Sequence, residues 1–172
     1  MAHGKVEKTN AARLLDRAKI NYELVPYEVD EEHLAATHVA EQLGEEIASR
    51  ASRVLVVYGG GSVKRNGVYD GAVEQMKARG IEWEELSGVE PNPRIITVRK
   101  GVELCRANKL DGVLALGGGS VIDSSKAIGY GVENGGDVWD FYERKREATS
   151  CLPIGVVLTI AAAGSEMSNS SV

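Results

Sequence analysis

Little in this chain can staple, stack or ligate. Its 172 residues include only 2 cysteines, Cys105 and Cys151. Two isolated thiols make neither a disulfide framework nor a CxxC metal pair, which fits a reducing cytoplasm as the expected compartment. Aromatic residues are 5% of the chain, too few for a platform on which nucleic-acid bases stack. No apolar run approaches the roughly 20 residues of a membrane-spanning helix, and the N-terminus has no apolar leader core. Neither membrane insertion nor secretion is expected. The histidines, His3, His33 and His38, all lie near the N-terminus, so the rest of the chain has no imidazole to offer a metal. Basic residues are outnumbered, 20 against 25, for a net charge of −5. That leaves no basic face to neutralise nucleic-acid phosphates, and no nucleic-acid partner is expected. The deficit is local: residues 1–48 hold 5 basic and 10 acidic residues, and the remainder balances. The asymmetry points to two segments of different origin.

What the chain does have is an ordinary globular composition, 43% hydrophobic and 26% charged, with length for one domain and a small extra piece. The most informative stretch is Gly117-Gly118-Gly119-Ser120-Val121-Ile122-Asp123, directly after the apolar run Gly112–Leu116. The run reads as a buried strand and Val121–Tyr130 as a helix. A glycine-rich turn between them presents unpaired backbone N–H groups and the positive end of a helix dipole to one spot. A phosphate or pyrophosphate is the natural guest. Gly118, Gly119 and Ser120 are the candidate binders, and Asp123 is a candidate contact to a polar part of cofactor or substrate, or else a capping residue.

The remaining elements follow from spacing. Residues 9–20 read as a short helix, 22–29 as an edge strand broken by Pro26, and 31–43 as an acidic loop and helix. From Arg53 the rhythm changes. Val54–Tyr58 is a continuous β-branched run, as in a strand covered on both faces. Val68, Ala72, Val73 and Met76 fall at helical spacing, and Gly80 closes that helix. Ile81–Leu86 is a strand. Asn92 as N-cap and Pro93 at the first helical position open a helix that buries Ile95, Val98, Val102 and Cys105. Trp139–Tyr142 is a short helical piece and Pro153–Leu158 a further strand. Strands alternating with helices predict an α/β fold: an open parallel sheet with helices on both faces, Rossmann-like, preceded by a short helix–strand–helix segment.

Gly59-Gly60-Gly61-Ser62 ends the first strand of that sheet, where open sheets bind ligands. Neither glycine run spells G-x-G-x-x-G. Ser62, Lys64 and Arg65 stand near the turn with no carboxylate in sight, which suits the 2′-phosphate of NADP(H). Thr159–Glu166 follows the last strand and could close over a cofactor. Gly59, Gly60, Gly61, Ser62, Lys64 and Thr159 therefore join the candidate cofactor residues. No catalytic or metal-ligating residue is expected within the chain.

On Arg53–Lys64, Gly88–Arg94, Gly117–Lys126 and Gly164-Ser165-Glu166, the chain resembles the iron-containing alcohol dehydrogenase family, in particular its NADPH-dependent butanol dehydrogenase branch, from about Leu43 to Val172. The resemblance implies a cofactor domain that serves hydride transfer between primary alcohols and aldehydes. It implies NADP(H) rather than NAD(H), pyrophosphate binding by Gly118, Gly119 and Ser120, contacts by Asp123 and around Thr159, and a homodimer in the full-length protein. The family usually has Thr where this chain has Ala163. Its iron or zinc is held by an Asp and three His of a C-terminal helical domain, which the resemblance puts beyond Val172. A fragment without its metal domain, inactive alone, is the expectation.

Residues 1–45 read differently. Lys8–Asp16, Tyr22–Leu24, Tyr27–Asp30 and Thr37–Gly44 resemble the start of the YbaK/prolyl-tRNA synthetase editing-domain family, with the family's essential Lys absent. This divides the chain into an editing-domain-like fragment, 1–46, and a dinucleotide-binding domain, 47–172, with a fused or recombined reading frame between them. A non-catalytic dinucleotide-binding module and aminoacyl-tRNA editing are the alternative functions.

Overall fold

The computed structural model describes residues 44–160, 162 and 164–171. The elements expected over 9–43, the three histidines and Ala163 lie outside the described residues. The core is a 4-stranded sheet in the order β2-β1-β3-β4: β1 is Arg53–Tyr58, β2 Glu82–Leu86, β3 Gly112–Gly117 and β4 Ile154–Leu158. All pairings are parallel. β1 and β3 are central and almost wholly buried, as continuous apolar runs require of a sheet covered on both sides. β2 is an edge strand, Glu-Trp-Glu-Glu-Leu, largely exposed. Its carboxylates discourage pairing with another chain.

Side chains alternate across the pleat. Leu55, Val57, Val113 and Ala115 face one layer, where Val98, Val102 and Cys105 of α3 (Ile95–Asn108) and Ile122 and Ile128 of α4 (Gly119–Glu133) pack. Val54, Val56, Tyr58, Leu114 and Leu116 face the other, against Val63 of α1 (Ser62–Arg65) and Ala72, Val73 and Met76 of α2 (Val68–Ala78). Helices on both faces of an open parallel sheet are the architecture expected. The helices of the first layer sit close because glycines line the contact. A Cβ at Gly101 would lie 2.3 Å from the Cδ1 of Ile128, and one at Gly131 2.9 Å from a Val102 methyl. The short α5 (Trp139–Tyr142) follows, with Phe141 edge-on to Tyr130 at 5.3 Å between centroids.

Two helix starts differ from the expectation. α3 starts at Ile95 with Arg94 as N-cap, and Asn92 sits at φ 60° in the left-handed region. An N-cap holds extended backbone, as Arg94 does at φ −102° and ψ 137°, whereas Asn92 takes the left-handed region that asparagine tolerates. It makes a turn instead of a cap. α4 in turn starts at Gly119, earlier than Val121, so the last of the three glycines is already helical.

The amino edge of the sheet is tied by Asp111. Its carboxylate accepts from the Ser52 amide at 2.9 Å, the Ser52 hydroxyl at 2.7 Å and the Arg53 amide at 2.7 Å. Burial pushes this carboxyl up, but those hydrogen bonds outweigh it and hold it below its ordinary value. β1 and β3 are thus locked in register at one end, and their other ends are free to carry turns. Both cysteines are free thiols; burial raises Cys105 to about 12, so it is inert core. No described helix is long and apolar enough to cross a membrane.

Candidate cofactor site

From β1 the sheet grows in two directions, to β2 on one side and to β3 and β4 on the other. That divergence is a topological switch point, and it opens a crevice outside the carboxyl ends of β1 and β3. Both glycine runs leave the sheet there. Tyr58 stands opposite Leu116, so Gly59 and Gly117 start from neighbouring strand ends. Leu158 stands opposite Gly117, and the Thr159 amide donates to the Gly117 carbonyl at 3.1 Å. The candidate residues, spread over a hundred positions of sequence, meet at one sheet edge.

The turn after β3 is the tighter. Gly118 is the N-cap of α4 with extended backbone, φ −99° and ψ −164°. The amides of Val121 and Ile122 close on its carbonyl at 3.0 and 3.1 Å. The amides of Gly119 and Ser120 precede that closure and stand at the helix end, and the first turn carries no acidic residue. This is an electropositive end of a long helix, suited to an anion. A Cβ at Gly117 would come within 2.6 Å of a Val121 methyl; only glycine lets the helix start this close to the strand.

Asp123 is occupied within the protein. Ser165 donates its hydroxyl to the carboxylate at 3.3 Å, and Lys126 lies 3.7 Å away. Lys126 also donates to the Ser165 and Ser170 carbonyls at 2.5 and 2.9 Å, and Ser171 donates to the Asp123 carbonyl at 2.9 Å. Asp123 and Lys126 fasten the segment 164–171 onto the first turns of α4. Lys126 and Ser165 sit within the family-like motifs, but spacing alone gives them no role. Their partnership shows only once the chain has returned from β4.

The turn after β1 is looser. Gly61 adopts φ 92° and caps the single helical turn α1. Gly59 is held by the following loop, its carbonyl accepting from the Gly88 amide at 3.1 Å. A Cβ on Gly60 would meet nothing within 4 Å, and Ser62 is exposed. The expectation that no carboxylate stands here is corrected. Lys64 donates to Glu85 of β2 at 2.9 Å and lies over the rings of Tyr69 and Tyr58, 4.2 and 5.1 Å from their centroids. The hydroxyls of Tyr58 and Tyr69 both donate to the same carboxylate. Burial pushes Glu85 up, but the hydrogen bonds from Tyr58, Tyr69 and Lys64 prevail and bring it to about 2. The Tyr58 hydroxyl and then Glu85 raise Lys64 above its ordinary value. Glu85 is the residue that sequence reasoning missed. It is 21 positions from Lys64 and meets it only because β2 pairs alongside β1.

A Cβ added at Gly60 would meet nothing within 4 Å and one at Gly118 nothing nearer than 3.9 Å, room that suits a dinucleotide, while Ser165 borders Gly119 at 3.2 Å. The described residues do not fit a metal: no group of 3 or more His, Cys, Asp or Glu comes together among them.

Comparison with known proteins accords with this geometry. Residues 32–172 match the family described as iron-containing alcohol dehydrogenase. The NADH-dependent butanol dehydrogenase A of Clostridium acetobutylicum is 58% identical over 125 residues, 73% of this chain and 32% of that protein. The NADPH-dependent aldehyde reductase YqhD of Escherichia coli is 42% identical over 118 residues, covering 67% and 30%. Among solved structures, NADH-dependent butanol dehydrogenase A of Thermotoga maritima superposes with a TM-score of 0.70 at 47% identity, covering 73% of this chain and 32% of that one. The chain thus spans about a third of the length of these relatives. The editing-domain resemblance of residues 1–45 finds no support, nor does aminoacyl-tRNA editing or a non-catalytic module; the family match begins at residue 32, upstream of the expected start near Leu43. By sequence and by fold, this chain belongs to the iron-containing alcohol dehydrogenase family.

Proposed function

We propose that this chain is the nicotinamide-dinucleotide-binding part of an alcohol dehydrogenase that interconverts primary alcohols and aldehydes. The observation that carries the reading is the convergence of Gly59–Ser62, Gly117–Ser120 and Thr159 on one switch point, with the head of a 15-residue helix behind it. Gly118, Gly119 and Ser120 would hold the pyrophosphate through backbone N–H groups. Gly59, Gly60, Gly61 and Ser62 would receive the adenosine ribose, and Thr159 would flank the pyrophosphate from β4. The bound cofactor would supply or accept the hydride. The protein's own part is to bind and orient it: Asp123 and Lys126 contribute indirectly, by holding the segment 164–171 against α4. The domain that does this is residues 47–172. Polarising the substrate oxygen needs groups other than those the described residues bring together, since no group of 3 or more His, Cys, Asp or Glu meets among them.

The relatives' names include both NADH and NADPH, and either cofactor carries the pyrophosphate on which the reading rests. Titrating the chain with NADH and with NADPH, followed by quenching of tryptophan emission, tests it. Saturable binding of at least one is expected. Binding of neither would refute the reading.

A further inference from the structure

The geometry points to Glu85 as the residue that sets the chain's choice between NADH and NADPH, by holding Lys64 in an internal ion pair. This rests on the reading of the β1 turn as the adenosine-ribose site.

A 2′-phosphate is recognised by charge-assisted hydrogen bonds from cations. Beside Arg65, whose guanidinium lies 3.9 Å from a Cβ built on Gly61, the turn is followed by a second cation, Lys64, two residues beyond Ser62. In this structure it is already committed. Its ammonium donates to Glu85 at 2.9 Å and rests on the faces of Tyr69 and Tyr58. Glu85 is fixed in turn, because both tyrosine hydroxyls donate to it. The four side chains come from β1, α1, α2 and β2, so the arrangement is built by the fold rather than by a chance meeting of two surface residues. A 2′-phosphate arriving here would meet a neutralised lysine backed by a carboxylate. It would have to break the pair and approach a like charge, which is how a site rejects one ligand while accepting its close relative. A ribose with free hydroxyls meets no such penalty.

The test is the ratio of NADPH to NADH affinity in the full chain, measured by titration for wild type, Glu85→Gln, Lys64→Met and the double variant. In Glu85→Gln the new amide oxygen can still accept from the tyrosines, and position 85 lies on the exposed edge strand, so the fold loses no core contact; matching thermal melts check this. Glu85→Gln frees the ammonium and is expected to raise the NADPH:NADH affinity ratio about tenfold, a charged hydrogen bond's worth. Lys64→Met alone should move the ratio less than about threefold, and in the double variant it should cancel the gain, since the two residues are coupled. Tyr69→Phe, which loosens Glu85 by one hydrogen bond, should shift the ratio the same way by a smaller factor. An unchanged ratio in Glu85→Gln, or a gain that survives Lys64→Met, overturns the inference while leaving dinucleotide binding intact. Failure of wild type to bind either cofactor overturns the ribose-site reading and this inference with it.

Discussion

The chain contains the same five letters twice, Gly-Gly-Gly-Ser-Val, at 59–63 and at 117–121, and folds them in two ways. At 117–121 no residue takes a positive φ. The strand runs straight into a 15-residue helix, and the glycines are there for closeness: Gly117 lies under Val121, and Gly119 lies where a Cβ would come 3.2 Å from the Ser165 hydroxyl. At 59–63 Gly61 turns left-handed and the helix ends within 4 residues. The residues downstream of each copy decide the outcome. Val121, Ile122, Ala127 and Ile128 are buried helix residues that drive a long helix onto the sheet. After Val63 come Lys64, Arg65, Asn66 and Gly67, which offer nothing to bury, and Gly67 breaks the chain before α2. The second turn leads into the N-terminus of a long helix with no acidic residue in its first turn, where the pyrophosphate is proposed to bind. The first is followed by Lys64, paired with Glu85.

Breaking the second turn should have the largest effect. Gly118→Val is expected to fold, because the backbone is extended and a Cβ there lies 3.9 Å from its nearest neighbours. It places a side chain where the proposed dinucleotide would approach. Affinity for both cofactors is expected to fall about 100-fold, or ~2.7 kcal/mol, by the same titration. A folded variant with wild-type affinity would remove the pyrophosphate from that turn.

Alanine sharpens the contrast in stability. Gly61→Ala, at φ 92°, should cost about 1–2 kcal/mol in urea unfolding. Gly118→Ala should cost less than about 0.5 kcal/mol, as for a substitution that strains nothing. Equal costs would mean that the two turns do not differ as described. A change of charge at the first turn tests its ligand. Ser62→Asp puts a carboxylate beside the ribose site and should lower the NADPH:NADH affinity ratio by about tenfold; an unchanged ratio would place the 2′-phosphate elsewhere.

The smallest effect is on acid stability. The Glu85 carboxyl is held down to about 2 from 4.5, so its contribution is present above pH 4.5 and is lost as pH falls through about 2. With Glu85 and Lys64 both over a third exposed, solvent screens the gain. The melting temperature of wild type should fall slightly more than that of Glu85→Gln between pH 5 and 2, as scanning calorimetry can resolve. Parallel curves would show that the pair adds nothing to the fold.

Much of this was legible in sequence because burial leaves simple marks. Val54–Tyr58 and Gly112–Leu116 are apolar without alternation, and only a strand covered on both faces needs that. Glycine runs at their ends mark the carboxyl edge. β2 was harder, since three glutamates occupy it, yet Ile81 and Leu86 bracket it correctly. The misses come from contacts made at long range or through competing local rules. Asn92 has the letter of an N-cap but turns left-handed, and the extended Arg94 caps the helix two residues on. The partners of Asp123 were likewise not legible: Ser165, 42 residues on, donates to its carboxylate. Glu85 reads as one acidic residue of an exposed strand; parallel pairing beside β1 gives it Lys64 and two tyrosines.

The two turns of one sequence are proposed to form one site. The direct measurement is a titration of the ¹⁵N-labelled chain with NADH, following the backbone amides by two-dimensional NMR. The account predicts that the amides of Gly118–Ser120 and of Gly59–Ser62 shift together, with one shared dissociation constant, while Asp111 at the opposite edge stays still. Shifts confined to one turn, or two turns titrating with different constants, would contradict it.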